Sequence, residues 1–295
     1  MQRLSYLLTT AITALAVGTA CDSGAPPIDR SSVTPSVATN VSFPQGSTMQ
    51  RLHDVGTITI GTKFDQPLFG LKNPLTRQPE GFDAEMGKLI AAALGIPANR
   101  IKWVETVSAN REPFLQQGRV DAIIATYAIN DKRKQIIDFA GPYYIAGQSL
   151  MVRAGNPDKI ANSDDLSGKK VCAVEGSASS ATIRNRVPSA EVALFDSYSK
   201  CADALKNNQV TAVTTDNTIL GGLRSLDEKS FDLVDVRFTE EPYGVGIAKG
   251  HADLVAFIDD VLRAAFADGT WAAAWNRTAG RILGAAPPPP DLDHY

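Results

Sequence analysis

Short apolar runs alternate with stretches of helical periodicity from residue 57 to residue 283, and that alternation narrows the fold more than any other feature of the chain. Thr57-Ile58-Thr59-Ile60-Gly61-Thr62 is rich in β-branched residues. Phe82, Met86, Leu89, Ile90 and Ala93 then recur on one helical face, which Gly95 ends. The runs Ile101 to Val104, Val120 to Ala125, Val171 to Val174 and Val210 to Thr214 have the length and composition of strands covered on both sides. Helical stretches separate them, among them Arg111 to Gln117, Lys200 to Asn207 and Asp253 to Ala267. The expectation is an α/β fold with mostly parallel strands.

An open parallel sheet binds ligands beyond the carboxyl ends of its strands, so the residues just after each run are the candidates. Polar side chains recur there. Lys63 follows the first run, Ser108 and Arg111 the second, and Thr126 to Arg133 the third. Ser177 to Ser180 follow Val174, and Asp216 follows Val213. One such residue is an ordinary loop residue; their repetition at equivalent points marks a site.

The two ends read differently. Met1-Gln2-Arg3 is cationic, Leu4 to Val17 carries no charge, and small residues lead into Cys21. This is the order of an export signal over residues 1–20. A Cys after small residues resembles a lipobox, which makes Cys21 the expected lipidation site; a plain secretory signal with a stray Cys is the alternative. The remaining pair, Cys172 and Cys201, reads as a disulfide in an exported chain, or else as two buried thiols. Residues 21–50 are rich in Ser, Thr, Pro and Gly and read as a flexible tether, and residues 285–295 as a disordered Pro-rich tail. Hydrophobic residues at 44% suffice for a real core, and a net charge of −3 speaks against nucleic acid or an anionic membrane surface as partner.

Gly81-Phe82-Asp83-Ala84-Glu85-Met86 resembles the signature of extracellular solute-binding proteins, family 3, of ABC transporters, with a small Ala84 where an aliphatic residue is usual. Asp131-Lys132-Arg133-Lys134 with Asp138-Phe139 and Pro142-Tyr143-Tyr144 resembles a second family block. Asp165 to Val171, Glu241 to Gly246 and Asp268-Gly269-Thr270-Trp271 resemble three more. The resemblance covers about residues 55–283. It implies a two-lobed, Venus-flytrap fold with two hinge strands, residues 51–145 plus 246–284 forming lobe one and 149–241 lobe two. Gly141, Gly147, Gly244 and Gly246 suit crossings that need unusual backbone angles.

The same resemblance implies roles. Arg133 matches the arginine that grips an α-carboxylate, and Asp216 the acid that takes an α-ammonium. Thr126 and Ala128 are expected to add loop hydrogen bonds, with Ala128 lacking the hydroxyl common in relatives. Ser108-Ala109-Asn110-Arg111 resembles the block of glutamate/aspartate binders whose Ser and Arg meet the side-chain carboxylate. Lys63 stands where such relatives often carry another cation, and Tyr198 where lobe two reaches the side chain. Ser177 is expected to offer a hydroxyl at a helix start.

A lipid-anchored protein on the outer face of the cytoplasmic membrane is implied, monomeric, closing on glutamate or aspartate ahead of asparagine or glutamine and docking on a permease. An exported enzyme of the cyclohexadienyl dehydratase type and a sensor for a membrane signalling partner are the other readings of the same fold. Catalysis by Ser177 is not expected, since the stretch is not Gly-x-Ser-x-Gly and His53, His251 and His294 are scattered. Neither a metal site nor a cofactor is expected.

Overall fold

The computed structural model describes residues 35–293. Cys21, the export signal and His294 lie outside the described residues. Helix α1 (Thr48–Val55) opens the fold; Ser47 caps it, its hydroxyl accepting from Gln50 N–H. Strand β1 (Ile58–Thr62) leads into a small antiparallel sheet of β2 (Asp65–Gln66), β3 (Gly70–Lys72) and β4 (Pro79–Glu80). Helix α2 (Phe82–Ala93), β5 (Ile101–Glu105), α3 (Arg111–Gln116), β6 (Ala122–Ile123) and α4 (Asp131–Lys134) follow, then the long strand β7 (Ile137–Ala146).

Past β7 the chain enters a second α/β layer. It contains β8 (Gln148–Arg153), β9 (Lys170–Val174), α5 (Ala178–Arg186), β10 (Glu191–Phe195), α6 (Tyr198–Lys206), β11 (Ala212–Asp216), α7 (Asn217–Leu226) and β12 (Phe231–Val234). Strand β13 (Glu241–Ala248) returns to the first layer, which α8 (Ala252–Asp268), α9 (Thr270–Arg277) and α10 (Gly280–Leu283) complete. Among the described residues no helix is long and apolar enough to cross a membrane.

The two large sheets have the orders β5-β1-β6-β13-β7 and β10-β9-β11-β8-β12. In each, the first three strands are parallel and the last two join antiparallel. Four of the five strands in each sheet therefore run the same way, as expected, and one in each, β13 or β8, is reversed. A strand that leaves one lobe or returns to it enters its sheet without a crossover helix, and so pairs head to tail. Two sheets, each with its own helices and joined by two crossings, make the two-lobed fold.

The family-signature acid has a structural task. Asp83 is buried, and accepts from Tyr143 O–H (2.6 Å) and from Thr126 N–H (2.8 Å), tying α2 to β7 and to the loop after β6. Phe82 beside it packs among Phe69, Tyr143, Tyr144 and Trp275, and the Trp271 indole N–H bonds Tyr143 O at 2.8 Å.

The crossing glycines serve close approach more than unusual angles, which corrects the expectation for three of them. Gly141 alone of the four has a positive φ, 115°. A Cβ at Gly147 would stand 2.6 Å from Thr239 O, and at Gly244 or Gly246 2.7 Å from an Ile129 or Tyr127 side-chain atom.

Residues 35–50 do not hang free as a tether. Ala38 N–H bonds Ala92 O, Phe43 packs edge-on to His53 and Phe257, and Thr48 bonds Asp253. The tail is likewise attached as far as residue 293: Trp275 Nε1–H bonds Gly284 O, Ala286 and Leu292 meet the core, and Asp293 N–H bonds Gly141 O. A Pro-rich stretch lacks the periodicity of an element, yet single apolar residues in it still gain by burial.

Cys172 on β9 and Cys201 on α6 form a disulfide within the second lobe, both fully buried. The pair closes a loop of 29 residues. A loop of that size contributes about 3–4 kcal/mol through the unfolded chain. Cys201→Ala is therefore expected to lower the thermal midpoint by about 6–16 °C, given some 2–4 °C per kcal/mol for a domain of this size. An unchanged melting curve would show that the bond carries no stability.

Candidate functional site

The candidate residues converge from the ends of strands in both lobes. Lys63 follows β1, Ser108 and Arg111 follow β5, Thr126 and Ala128 follow β6, and Arg133 lies on α4. From the second lobe come Ser177 at the start of α5, Tyr198 at the start of α6, and Asp216 ending β11. All of these side chains are buried. Ser108, Arg111, Thr126, Ala128, Arg133, Ser177, Tyr198 and Asp216 line a single cavity, together with Gln66, Ala178, Ser179 and Ile219, with a free volume of about 10 Å³. That is room for about one water molecule, so the lobes stand shut here and an amino acid enters only once they part.

Lys63 stands one layer back. Its ammonium donates to Ser108 Oγ at 2.8 Å and reaches the cavity through that hydroxyl. Burial first, and the neighbouring Arg111 charge second, bring its pKa down to about 7.

The two arginines lie against the Tyr127 ring, with guanidinium carbons 4.1 Å (Arg111) and 4.8 Å (Arg133) from its centroid. Arg133 is held by Glu112 Oε1 at 3.1 Å and by Ala128 O at 2.6 Å. Arg111 donates to Ser108 O and Ala125 O, both at 3.3 Å. Burial, then the Arg133 charge, lowers its pKa to about 10. Both also donate across the cleft to Gly176 O, Arg133 at 3.0 Å and Arg111 at 3.4 Å. Gly176 has φ 74°, and a Cβ there would stand 2.7 Å from Ala109 Cα. Only glycine lets the two loops meet so closely.

Asp216 faces these cations from the other lobe. Tyr243 O–H donates to its Oδ2 at 2.7 Å, and the same hydroxyl contacts Thr218 Oγ1 at 3.0 Å. Burial, and then the Glu241 charge, push its carboxyl up to about 7. An ammonium at Asp216 would offset that cost. Tyr198, near it, is raised to about 12, by burial and then by Asp216.

Two expected contacts are already engaged. Thr126 N–H goes to Asp83 Oδ2, so this donor serves the fold. The Ser177 hydroxyl accepts from Ser180 N–H at 3.0 Å as the cap of α5, and among the described residues no histidine joins it: His53 bonds Leu94 O and His251 contacts Thr48. Among the described residues no cluster of His, Cys, Asp and Glu could hold a metal ion.

Sequence reasoning missed several residues here. Asp65 on β2 accepts from Tyr198 N–H (3.1 Å) and Ser199 N–H (3.4 Å), bracing the open end of α6 from the opposite lobe. Gln66, next to it, is fully buried against the cavity. Glu112 and Tyr243 hold Arg133 and Asp216. The short run after Lys63 was the signal available, since polar residues in a buried turn imply partners.

The chain is 40% identical over 225 residues to the glutamine-binding protein GlnH of an ABC transporter of Bacillus subtilis, covering 76% of this chain and 81% of that one. It is 37% identical to the glutamate-binding protein GluB of Corynebacterium efficiens, covering 73% and 76%. Among solved structures it is similar to an ancestral amino acid-binding protein, a precursor of cyclohexadienyl dehydratase, with 28% identity, a TM-score of 0.72, and coverage of 79% and 99%. The family profile of the bacterial extracellular solute-binding proteins, family 3, matches residues 58–279, and the chain belongs to that family.

Proposed function

We propose that this protein captures an acidic amino acid, glutamate or aspartate ahead of glutamine or asparagine, by closing its two lobes, and delivers it to the permease of an ABC importer. The observation that carries this is the convergence of Arg133 and Arg111, backed by Lys63, on one wall of a cavity with Asp216 on the other. A zwitterion with an extra carboxylate needs that arrangement, because each of its charges loses water on closure and must find a partner. A neutral amide would leave the donors of Lys63 and Arg111 less well paired. The relatives include both glutamine and glutamate binders, and support an amino-acid ligand.

In this reading lobe one comprises residues 51–145 plus 246–284 and lobe two residues 149–241. Cys21 carries a lipid on the outer face of the membrane, and the protein acts as a monomer. Ligand shifts the population toward the closed form in proportion to its greater affinity for it. The protein is a binding protein rather than an enzyme. Among the described residues, Asp216 is the acid lining the cavity, and holding the ammonium leaves it unavailable as an acid or base toward a leaving group.

Thermal-shift screening of the mature domain against all the amino acids tests the reading. At 100 times its Kd a ligand adds about 2.7 kcal/mol, or roughly 5–10 °C here. Shifts of that size are expected with glutamate or aspartate, and little shift with lysine, arginine or leucine. The largest shift with a basic or aliphatic amino acid would remove the acidic assignment.

A further inference from the structure

We propose that Gln66 is a specificity-determining residue of the cleft, its side-chain amide donating to the side-chain carboxylate of the bound amino acid. The inference rests on the amino-acid reading of the same cavity given above. Gln66 is fully buried on β2 and lines the cavity with Arg111 and Asp216. Its Oε1 lies 2.9 Å from Thr126 Oγ1, and its Nε2 has no hydrogen-bond partner.

Thr126 has one hydroxyl proton and two acceptors within reach, Gln66 Oε1 and Ala125 O at 2.8 Å. It satisfies one end of the amide at most, so an end stays free however the amide is turned. A buried amide donor without a partner is costly, and such groups persist where something else completes them. The neighbouring cavity groups decide which end is free. Lys63, through Ser108, and Arg111 are donors, so the ligand group meeting them must be an acceptor. A carboxylate accepts from the amide N–H as well, and the three donors then act on one ligand group.

Gln66→Glu replaces that donor by a second carboxylate, while Gln66→Met keeps the length and removes both polar ends. Calorimetric titration of the wild type and both variants with L-glutamate and L-glutamine tests the inference. Gln66→Met is expected to weaken glutamate binding about tenfold. Gln66→Glu is expected to weaken it on the order of 100-fold, and glutamine binding by less than about tenfold, so that the preference inverts. If Gln66→Glu does not unfold cooperatively, Gln66→Met decides. A glutamate-to-glutamine ratio within about twofold of the wild type in the folded variants would overturn the role of Gln66 and leave the cleft reading standing. A wild-type protein that binds neither ligand would overturn both.

Discussion

Arg133→Ala and Asp216→Ala should each weaken glutamate binding at pH 7 by roughly 30-fold to several-thousand-fold, the range that follows from about 2–5 kcal/mol for truncating one partner of a buried, hydrogen-bonded charge pair. Each group is buried and already oriented. Arg133 is fixed by Glu112 and Ala128 O, and Asp216 by Tyr243 O–H. Little ordering remains to oppose binding, so most of the pairing energy appears as affinity. Asp216→Asn separates charge from shape, because an amide oxygen still accepts from Tyr243 while the negative charge is gone. It should lose nearly as much affinity as Asp216→Ala. The ligand-free Asp216→Ala protein should melt close to the wild type, since the change removes a carboxyl whose own burial was unfavourable and leaves Tyr243 bonded to Thr218. Titration calorimetry with matched melting curves checks this. Affinity within a factor of about three of the wild type in all these variants would remove the site.

Affinity for glutamate should pass through a maximum near pH 7 and fall on either side by up to about tenfold per pH unit. Two groups with opposite shifts produce it. Asp216 is raised to about 7 by burial and then by Glu241, and a bound ammonium favours its carboxylate. Below pH 7, binding must therefore expel a proton, and affinity declines as the solution becomes more acid. Lys63 is lowered to about 7 by burial and then by Arg111, and a bound carboxylate favours its ammonium. Above pH 7, binding takes up a proton, and affinity declines as pH rises.

The ligand-free fold behaves in the opposite way. Asp216 and Asp83, the latter raised to about 6 by burial, contribute stability that is present below about pH 4 and lost as pH rises through 6–7. Lys63 contributes stability that is present above about pH 10.5 and lost as pH falls through 7. Near pH 7 the empty cleft is thus least comfortable and the filled one most so. Titrations from pH 5.5 to 8.5, in buffers of differing ionisation enthalpy, should show proton release at the acid end and uptake at the alkaline end. A flat affinity across that range with no proton exchange would contradict both assignments.

How much of this was legible in the sequence depended on how local each signal is. The apolar runs at Ile58, Ile101 and Val171 and the periodic face Phe82 to Ala93 gave their elements, because a strand or helix is specified by its own residues. The reversed direction of β8 and β13 was not legible, since it follows from where the crossings enter each sheet. Neither was the attachment of Phe43 and Leu292 to lobe one, because packing of irregular chain has no period.

At the site, residues directly after strands could be named from position alone. The partners that hold them could not. Asp65 reaches Tyr198 across 133 residues, and Arg111 reaches Gly176 across 65. Contacts of that range exist only once the lobes face each other, and no spacing in the chain encodes them.

The central claim is that guanidinium and carboxylate groups from facing lobes enclose a single acidic amino acid. A crystal structure of the protein grown with saturating L-glutamate tests it most directly. The expected density places the α-carboxylate within hydrogen-bond distance of Arg133 and the ammonium within hydrogen-bond distance of Asp216, with the side-chain carboxylate toward Ser108 and Arg111. Glutamate bound outside this cavity, or bound within it and touching neither Arg133 nor Asp216, would contradict it.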